Sequence, residues 1–406
     1  MISRRAALSA LLASPGVALA ADAQSDMPPR TGPLGPADFA ITGTYLNAAY
    51  THPMTRAAAA AAASFLAGRA DPGRTPDLAR DAKALFARLI NADPSEIARI
   101  PSTSYGESFV IGAMGLQGDP NAAIVTDILH FDGSLYTYGE LAKQGAAVTI
   151  LPMTADGRID MNVLESAVTP RTRLVAVSLV SMVNGFAHDL KTVCEIAHRR
   201  GAMVYVDAIQ AAGACPIDVK ASGVDFLACS SFKWLMGDFG CGYLYVRPDR
   251  MAHLRRTQFG YHQPRSLAYH LLPGDPPGPA LFEAEPDNAT AAGMFEVGSL
   301  SIAAEVANSV AIRRILDTGV GAIEARRQPW MARLRERLGD RYRCLTPPGA
   351  TSPIIAFSLI GADKLLGPRL REAGINIQLY DNRFRISPSV YNTAADIARV
   401  IDVLLG

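Results

Sequence analysis

The sequence predicts an α/β fold: a large domain on a mostly parallel sheet, then a small C-terminal α+β domain. Three observations carry that expectation. Short, continuously apolar runs recur between residues 122 and 246, the pattern of strands covered on both faces. Amphipathic helical segments such as Leu190–Arg200 separate several of them, as crossovers between parallel strands require. After about Arg247 the rhythm changes, and the tail from Ile354 alternates short strands with short helices.

The first stretch reads as a targeting segment. Met1 to Arg5 gives a charged start, and Ala6 to Ala20 is apolar with small residues at its end. That is a cleavable export signal, too short to span a bilayer. Arg4-Arg5 after Ser3 matches the twin-arginine form, which exports folded proteins and places the chain in the periplasm; an ordinary signal carrying two arginines is the alternative. Residues 21–40 are rich in Pro, Gly and Asp and read as a tether or extended arm.

The expected elements then follow in order. Helices are expected over Met54–Ala70 and Pro76–Leu89, and another opens near Ser102 and runs to Leu116. Strands are expected at Ala122–Thr126, Ala147–Leu151, Leu174–Leu179, Met203–Val206, Phe226–Cys229 and Gly242–Val246. Residues 260–292 read as a long surface loop, and a helical stretch from Ile302 to Leu338 breaks near Gly319–Gly321. The tail reads strand Ile354–Leu359, helix Ala362–Ala373, strands Ile375–Leu379 and Arg383–Ser387, and helix Ala394–Leu405. The expected organisation is signal 1–20, arm 21–50, large domain 51–300, and linking helix with small domain 301–406.

Composition excludes several functions. Hydrophobic residues make up 49% and charged residues 19%, enough for a large core. A net charge of +1 gives no electrostatic reason for nucleic acid or an anionic membrane as partner. The five cysteines lack CxxC spacing and the seven histidines lack an HExxH pair, so no disulfide framework or metal site is expected. Lysine is scarce: Lys83, Lys143, Lys191, Lys220, Lys233 and Lys364 are all there are. A lysine in an apolar setting therefore stands out.

Two residues form the first constellation. Asp207 closes the apolar run Met203–Val206, at the carboxyl end of a strand where open α/β sheets bind ligands. Lys233 follows the next strand and is flanked by Phe232 and Trp234. A partly desolvated lysine loses its proton more easily and can condense with an aldehyde. A strand-end carboxylate can keep a pyridine nitrogen protonated and so electron-withdrawing. Alone, Asp207 reads equally as a helix cap and Lys233 as a side chain reaching solvent.

The run Cys229-Ser230-Ser231-Phe232-Lys233-Trp234-Leu235-Met236-Gly237, with Asp207-x-x-Gln210 upstream, resembles the lysine motif of class V aminotransferases. That family includes cysteine desulfurases, kynureninase and isopenicillin N epimerase-like proteins. The resemblance extends from Tyr45-Leu46-Asn47-Ala48-Ala49 to Arg385-Ile386-Ser387-Pro388-Ser389-Val390-Tyr391-Asn392-Thr393. It implies a pyridoxal 5′-phosphate (PLP) enzyme of fold type I, exchanging the amino group of a small amine or amino acid.

The resemblance also implies roles. Lys233 would carry the cofactor as a Schiff base and shuttle a proton, Asp207 would face the pyridine nitrogen, and Gln210 the ring hydroxyl. Ser230 would contact the phosphate, as would Ser104 and Tyr105. Those two also open a helix whose free amides suit an anion, simple capping being the alternative. Phe131 stands where an aromatic ring stacks on the cofactor (histidine in the desulfurases), a core phenylalanine being the alternative. Ser299 resembles the residue that reaches the phosphate of a neighbouring subunit, which implies a homodimer. Arg385 matches the arginine that grips a substrate carboxylate; Arg383 is a second candidate, and a surface arginine the alternative. Asn47 is a further substrate candidate, and Asn184 stands near the ring in a displaced segment.

One departure matters. Gln378-Leu379-Tyr380-Asp381-Asn382 has no cysteine where the desulfurases carry their nucleophile, and Cys344 lies too far upstream. Sulfur transfer through a protein persulfide is therefore not expected. The expected reaction is amino-group transfer; a PLP lyase or epimerase is the alternative, and a non-catalytic binding protein on the same scaffold is a third reading.

Overall fold

The computed structural model describes residues 32–71 and 77–406. The export signal expected over 1–20 and the start of the arm lie outside the described residues.

Seven strands form the main sheet: β2 (Ile97–Ile100), β3 (Ala123–Asp127), β4 (Ala147–Leu151), β5 (Thr172–Ser178), β6 (Met203–Asp207), β7 (Phe226–Ser230) and β8 (Gly242–Val246). Their order is β2-β8-β7-β6-β5-β3-β4, and only β8 runs against its neighbours. The order places β3 between β5 and β4, so the chain reverses its direction of winding there. Such a reversal opens a crevice at the carboxyl ends of the strands. Asp127, Ser178, Asp207 and Ser230 end β3, β5, β6 and β7, side by side along that edge.

Alternation along the strands builds two cores. Val175, Val177, Val204, Val206 and Leu227 pack on one face, with Leu190, Val193 and Ile196 of α6 (Leu190–His198). The intervening Leu174, Ala176, Tyr205, Phe226 and Ala228 pack on the other, with α3 (Thr103–Ala113) and α4 (Asp132–Lys143). Each fully buried Leu or Val contributes roughly 1.5–3 kcal/mol. The helices begin where side-chain oxygens cap free amides: Asp189 accepts from Thr192 N, and Ser102 from Tyr105 N. Outside these layers, α1 (Arg56–Ala67) and α2 (Asp77–Leu89) pack on α9 (Ile302–Thr318), while α5 (Met161–Ala167), α7 (Val219–Ser222) and α8 (Ala291–Phe295) are short. The expected break after Thr318 is real, with Gly319 at φ +83° ahead of α10 (Val320–Gly339).

The tail forms a second sheet, β11 (Ile355–Ser358), β14 (Arg383–Ile386) and β13 (Gln378–Leu379), backed by α11 (Ala362–Glu372) and α12 (Ala394–Leu405). Phe357 and Phe384 stack in its core, 5.3 Å apart between centroids.

Four expectations need correction. Β2 was not anticipated; it is only four residues long and contains Arg99, which blunts its apolar signature. The strand expected over Ile375–Leu379 is two strands: β12 (Ile375–Asn376) pairs with β1 (Thr44–Tyr45), and β13 joins the small sheet. Residues 260–292 are not all loop, because β9 (Pro264–Tyr269) and β10 (Phe282–Pro286) form an antiparallel hairpin with exposed side chains. Its alternation carries too many Pro and charged residues to read as a strand. Finally, residues 32–50 are welded on rather than loose. Leu34 and Phe39 are buried, the Leu34 amide donates to Thr318 Oγ1, and Ala48 and Ala49 pack near Trp234 and Tyr391.

Candidate active site

Lys233 sits in a loop leaving β7 that is tied down on every side. The Ser231 amide donates to the Cys241 carbonyl, Gly237 N to the Ser231 carbonyl, and Asn308 Nδ2 to the Leu235 carbonyl. Trp234 is buried and its indole donates to Gln210 Oε1 at 2.9 Å. Gly213, at φ +91°, passes so close to the Trp234 carbonyl that any Cβ there would collide with it. The Lys233 carbonyl accepts from Met236 N at 2.8 Å, while its amine makes no hydrogen bond or ion pair among the described residues. Its Nζ lies 5.7 Å from the centre of the Phe232 ring. Burial, reinforced by Arg385, lowers its pKa from 10.5 to about 8, against the pull of Asp207. At that value roughly a tenth of the amine is unprotonated at pH 7 and about half at pH 8, far more than for a solvated lysine.

Asp207 is buried, and one of its oxygens accepts from the Ile209 amide at 2.9 Å. No other hydrogen bond reaches this carboxylate among the described residues, so its second oxygen is free for an incoming donor. Burial raises its pKa, opposed chiefly by the charge of His130.

The phosphate candidates divide. Ser104 and Tyr105 are exposed at the start of α3; Tyr105 N donates to Ser102 Oγ, and the Ser104 amide is left without a partner among the described residues. Ser230 is buried beneath them and reciprocally bonded to Thr103: its hydroxyl accepts from Thr103 N at 2.8 Å, and its amide donates to Thr103 Oγ1 at 2.9 Å. Ser230 thereby fastens the α3 N-terminus to the end of β7. Ser299 is exposed, with its hydroxyl against that of Tyr261.

Around the ring position, Phe131 is half-buried at the N-cap of α4. Gln210 is spent on structure, since its Nε2 donates to the Ala49 carbonyl while its oxygen holds Trp234. The Asn184 amide is equally occupied, donating to the Gly157 carbonyl at 2.8 Å and accepting from Phe186 N at 3.0 Å. It shapes the turn after β5.

On the facing sheet, Arg385 is 2% exposed and pairs with no carboxylate among the described residues. One nitrogen donates to the Met182 carbonyl at 2.8 Å, and its Nε is buried without a partner. Burial lowers its pKa, yet a guanidinium stays charged. Arg383, two residues back on the same strand, lies over the Tyr380 ring at 3.9 Å. Asn47 is buried with its Oδ1 unpartnered and its Nδ2 donating to Asn376 Oδ1 at 3.1 Å.

Sequence reasoning passed over one group. Glu107 is buried and accepts from Ser134 Oγ at 2.5 Å, Tyr138 OH at 2.7 Å and His130 Nε2 at 3.2 Å. A signal was present: Thr103, Gly106, Glu107 and Val110 share the buried stripe of α3, and a carboxylate in an apolar stripe demands partners.

The pieces fit PLP: an amine with a lowered pKa, a buried carboxylate with a free oxygen, a helix N-terminus for a phosphate, and a buried cation with no carboxylate partner among the described residues. The description "Aminotransferase class-V" matches residues 69–400. The chain belongs to the aminotransferase class-V family. PLP is the cofactor of this class-V enzyme. Among similar proteins is an uncharacterized aminotransferase, YcbU, of Bacillus subtilis (strain 168), 35% identical over 164 residues that cover 40% of this chain and 43% of that protein. The cysteine desulfurase IscS of Neisseria meningitidis serogroup C (strain 053442) is 33% identical over 193 residues, 47% of this chain and 48% of its own. These matches thus span about half the length of the curated relatives. Among solved structures, the cysteine desulfurase CsdA from Escherichia coli superposes with a TM-score of 0.78 at 23% identity, covering 91% of this chain and 96% of that one. The cystine C-S lyase C-DES gives 0.76 at 20%, covering 89% and 97%. At such identities the superpositions establish the class-V fold, fold type I.

Proposed function

We propose that this class-V enzyme is an aminotransferase whose substrate amine carries a carboxylate. The observation that carries the reading is Arg385, a buried guanidinium without a carboxylate partner, close enough to Lys233 to help depress its pKa. A buried unpaired cation is costly unless a ligand completes it, and an Arg fork suits a planar carboxylate.

The cofactor supplies an aldehyde carbon and an electron-withdrawing ring. The protein's own groups do the rest. Asp207 holds the ring-nitrogen proton with its free oxygen and so keeps the ring electron-withdrawing. The Ser104 amide and the exposed side chains of Ser104 and Tyr105 bind the phosphate, and Phe131 covers the ring face. Arg385 orients the substrate, with Asn47 beside it. Lys233, its pKa lowered toward neutrality, takes in its free-amine form a proton from the carbon bearing the amine and returns one elsewhere.

A second reading is a PLP lyase or epimerase, favoured by the relatives named as cysteine desulfurases and the neighbour named as a C-S lyase. Against the persulfide form of that chemistry, Gln378–Asn382 bears no thiol. The half-buried Cys344 sulfur accepts from Arg335 at 3.1 Å, and burial pushes its thiol pKa up. An absorbance spectrum of the loaded protein with a panel of amines separates the readings. Transfer predicts loss of the resting band, cofactor released as pyridoxamine phosphate, and keto-acid accumulation. Sulfide or pyruvate release from cysteine or cystine with the resting band restored supports the second reading instead.

Two further elements belong to the same proposal. The enzyme is a homodimer in which Ser299, exposed beside Tyr261, reaches the partner's phosphate. The residues before 32 direct twin-arginine export to the periplasm, so the cofactor is loaded before the folded protein crosses the membrane.

A further inference from the structure

Behind the cofactor site lies a buried polar group that the proposed reaction does not use. His130 is 1% exposed and its ring is bonded at both nitrogens: Nε2 to Glu107 Oε1 at 3.2 Å, and Nδ1 to Ser178 Oγ at 2.8 Å. Ser178 is the register partner of Asp207 on the adjacent parallel strand. Register partners point to the same face about 5 Å apart, so the His130–Ser178 bond ends next to the Asp207 carboxylate.

Charge makes this arrangement consequential. Glu107 is 4% exposed and Asp207 3%, two carboxylates in one dry region. Two buried like charges cannot both persist without a cation. Lys233 cannot serve, because an uncharged amine is what its chemistry requires. Among the described residues, His130 is the cationic group that acts on both. Burial works against its protonation, but Glu107, Asp207 and Asp127 together raise its pKa. Burial likewise opposes ionisation of Glu107, yet His130, Ser134 and Tyr138 hold its pKa down. Asp127 is in turn bonded to His188 at 3.0 Å.

We propose that His130 is a positioning residue for the cofactor: a buried imidazolium that cancels the Glu107 charge, so that Asp207 stays ionised for the pyridine nitrogen. The inference rests on Asp207 facing that nitrogen, but not on which reaction follows.

The test uses the cofactor-loaded full chain and reads its visible absorbance band against pH. In His130→Gln the Glu107 charge is left uncompensated. The extra negative charge holds protons more tightly, and the transition of the band moves to higher pH by about one unit, the size expected for one charge at a distance of about 10 Å and an effective dielectric constant of about 20. In Glu107→Gln/His130→Gln both charges are gone and the transition returns to within a few tenths of the wild-type value. An unshifted His130→Gln profile overturns the proposal. So does a double variant as displaced as the single one, which would assign His130 a purely steric role. Thermal melting of the apoproteins monitors folding; should His130→Gln fail to fold, Glu107→Gln with His130 intact leaves the imidazolium uncompensated, so the transition must move to lower pH by up to about one unit, and an unshifted or raised transition there refutes the charge balance. An Asp207→Ala protein that titrates like wild type would instead overturn the placement of Asp207 itself.

Discussion

The indole of Trp234 donates to the amide oxygen of Gln210 at 2.9 Å, linking the residue after the lysine to the residue three beyond Asp207. Because Gln210 Nε2 holds the Ala49 carbonyl, the link extends to the N-terminal segment. The lysine loop, the aspartate strand and residues 45–49 are thereby set as one unit. Trp234→Phe keeps most of the buried ring and leaves the Gln210 oxygen unpaired, which costs about 1–3 kcal/mol. The expected result in denaturant titration is a lower midpoint at unchanged slope, with cofactor binding weakened about 10-fold. A variant with wild-type affinity would show that the bond does not set the lysine.

The Lys233 pKa of about 8 makes loading pH-dependent. Burial depresses it, so the fraction of reactive amine rises with pH and levels off above about 8. Mixing apoprotein with PLP and following the visible band from pH 6 to 10 should give an observed rate that climbs about 10-fold per unit below 8 and then flattens. A rate still climbing toward pH 10 would indicate an ordinary solvated lysine.

Arg385 should discriminate by the carboxylate. Arg385→Gln is expected to lower kcat/KM for an amino acid by about 10- to 100-fold, the value of a charge-assisted bidentate contact. The corresponding amine without a carboxylate should react as with the wild type. Equal losses on both substrates would reassign Arg385 to structure, through its bond to the Met182 carbonyl.

Asp225 holds the far side of the sheet. It is fully buried and accepts from His198 at 2.8 Å, Arg250 at 2.6 Å and the Val204 amide at 2.7 Å. Burial opposes its ionisation, but these partners depress its pKa below the usual aspartate value. A depressed folded-state pKa stabilises above the unfolded value and is lost as pH falls through the depressed one. Asp225→Ala strands buried donors and is expected to cost about 3–5 kcal/mol at neutral pH, with the gap to wild type narrowing in acid.

Much of this was legible in the sequence. The strand runs at Ala147–Leu151 and Gly242–Val246 and the helix at Ala394–Leu405 fall where continuous apolar runs and helical periodicity placed them. Asp207 announced itself by ending an apolar strand, and Lys233 by following the next one closely in a chain with few lysines. What escaped needed three-dimensional information. Β1 and β12 are two residues each and exist only because Thr44 and Ile375 meet across the chain. Gln210 and Asn184 look like ligands in a motif, but their amides are consumed by a tryptophan and by a turn. His130 lies beside the expected stacking residue Phe131, and only the fold shows that its ring turns inward to Glu107.

The central claim is that one amine, Lys233, carries the cofactor. Borohydride reduction of the PLP-loaded protein followed by peptide mass mapping tests it most directly. The account predicts a phosphopyridoxyl mass on the peptide containing residue 233, and no fixed adduct in Lys233→Ala. A reduced adduct on another lysine, or one that survives in Lys233→Ala, would contradict it.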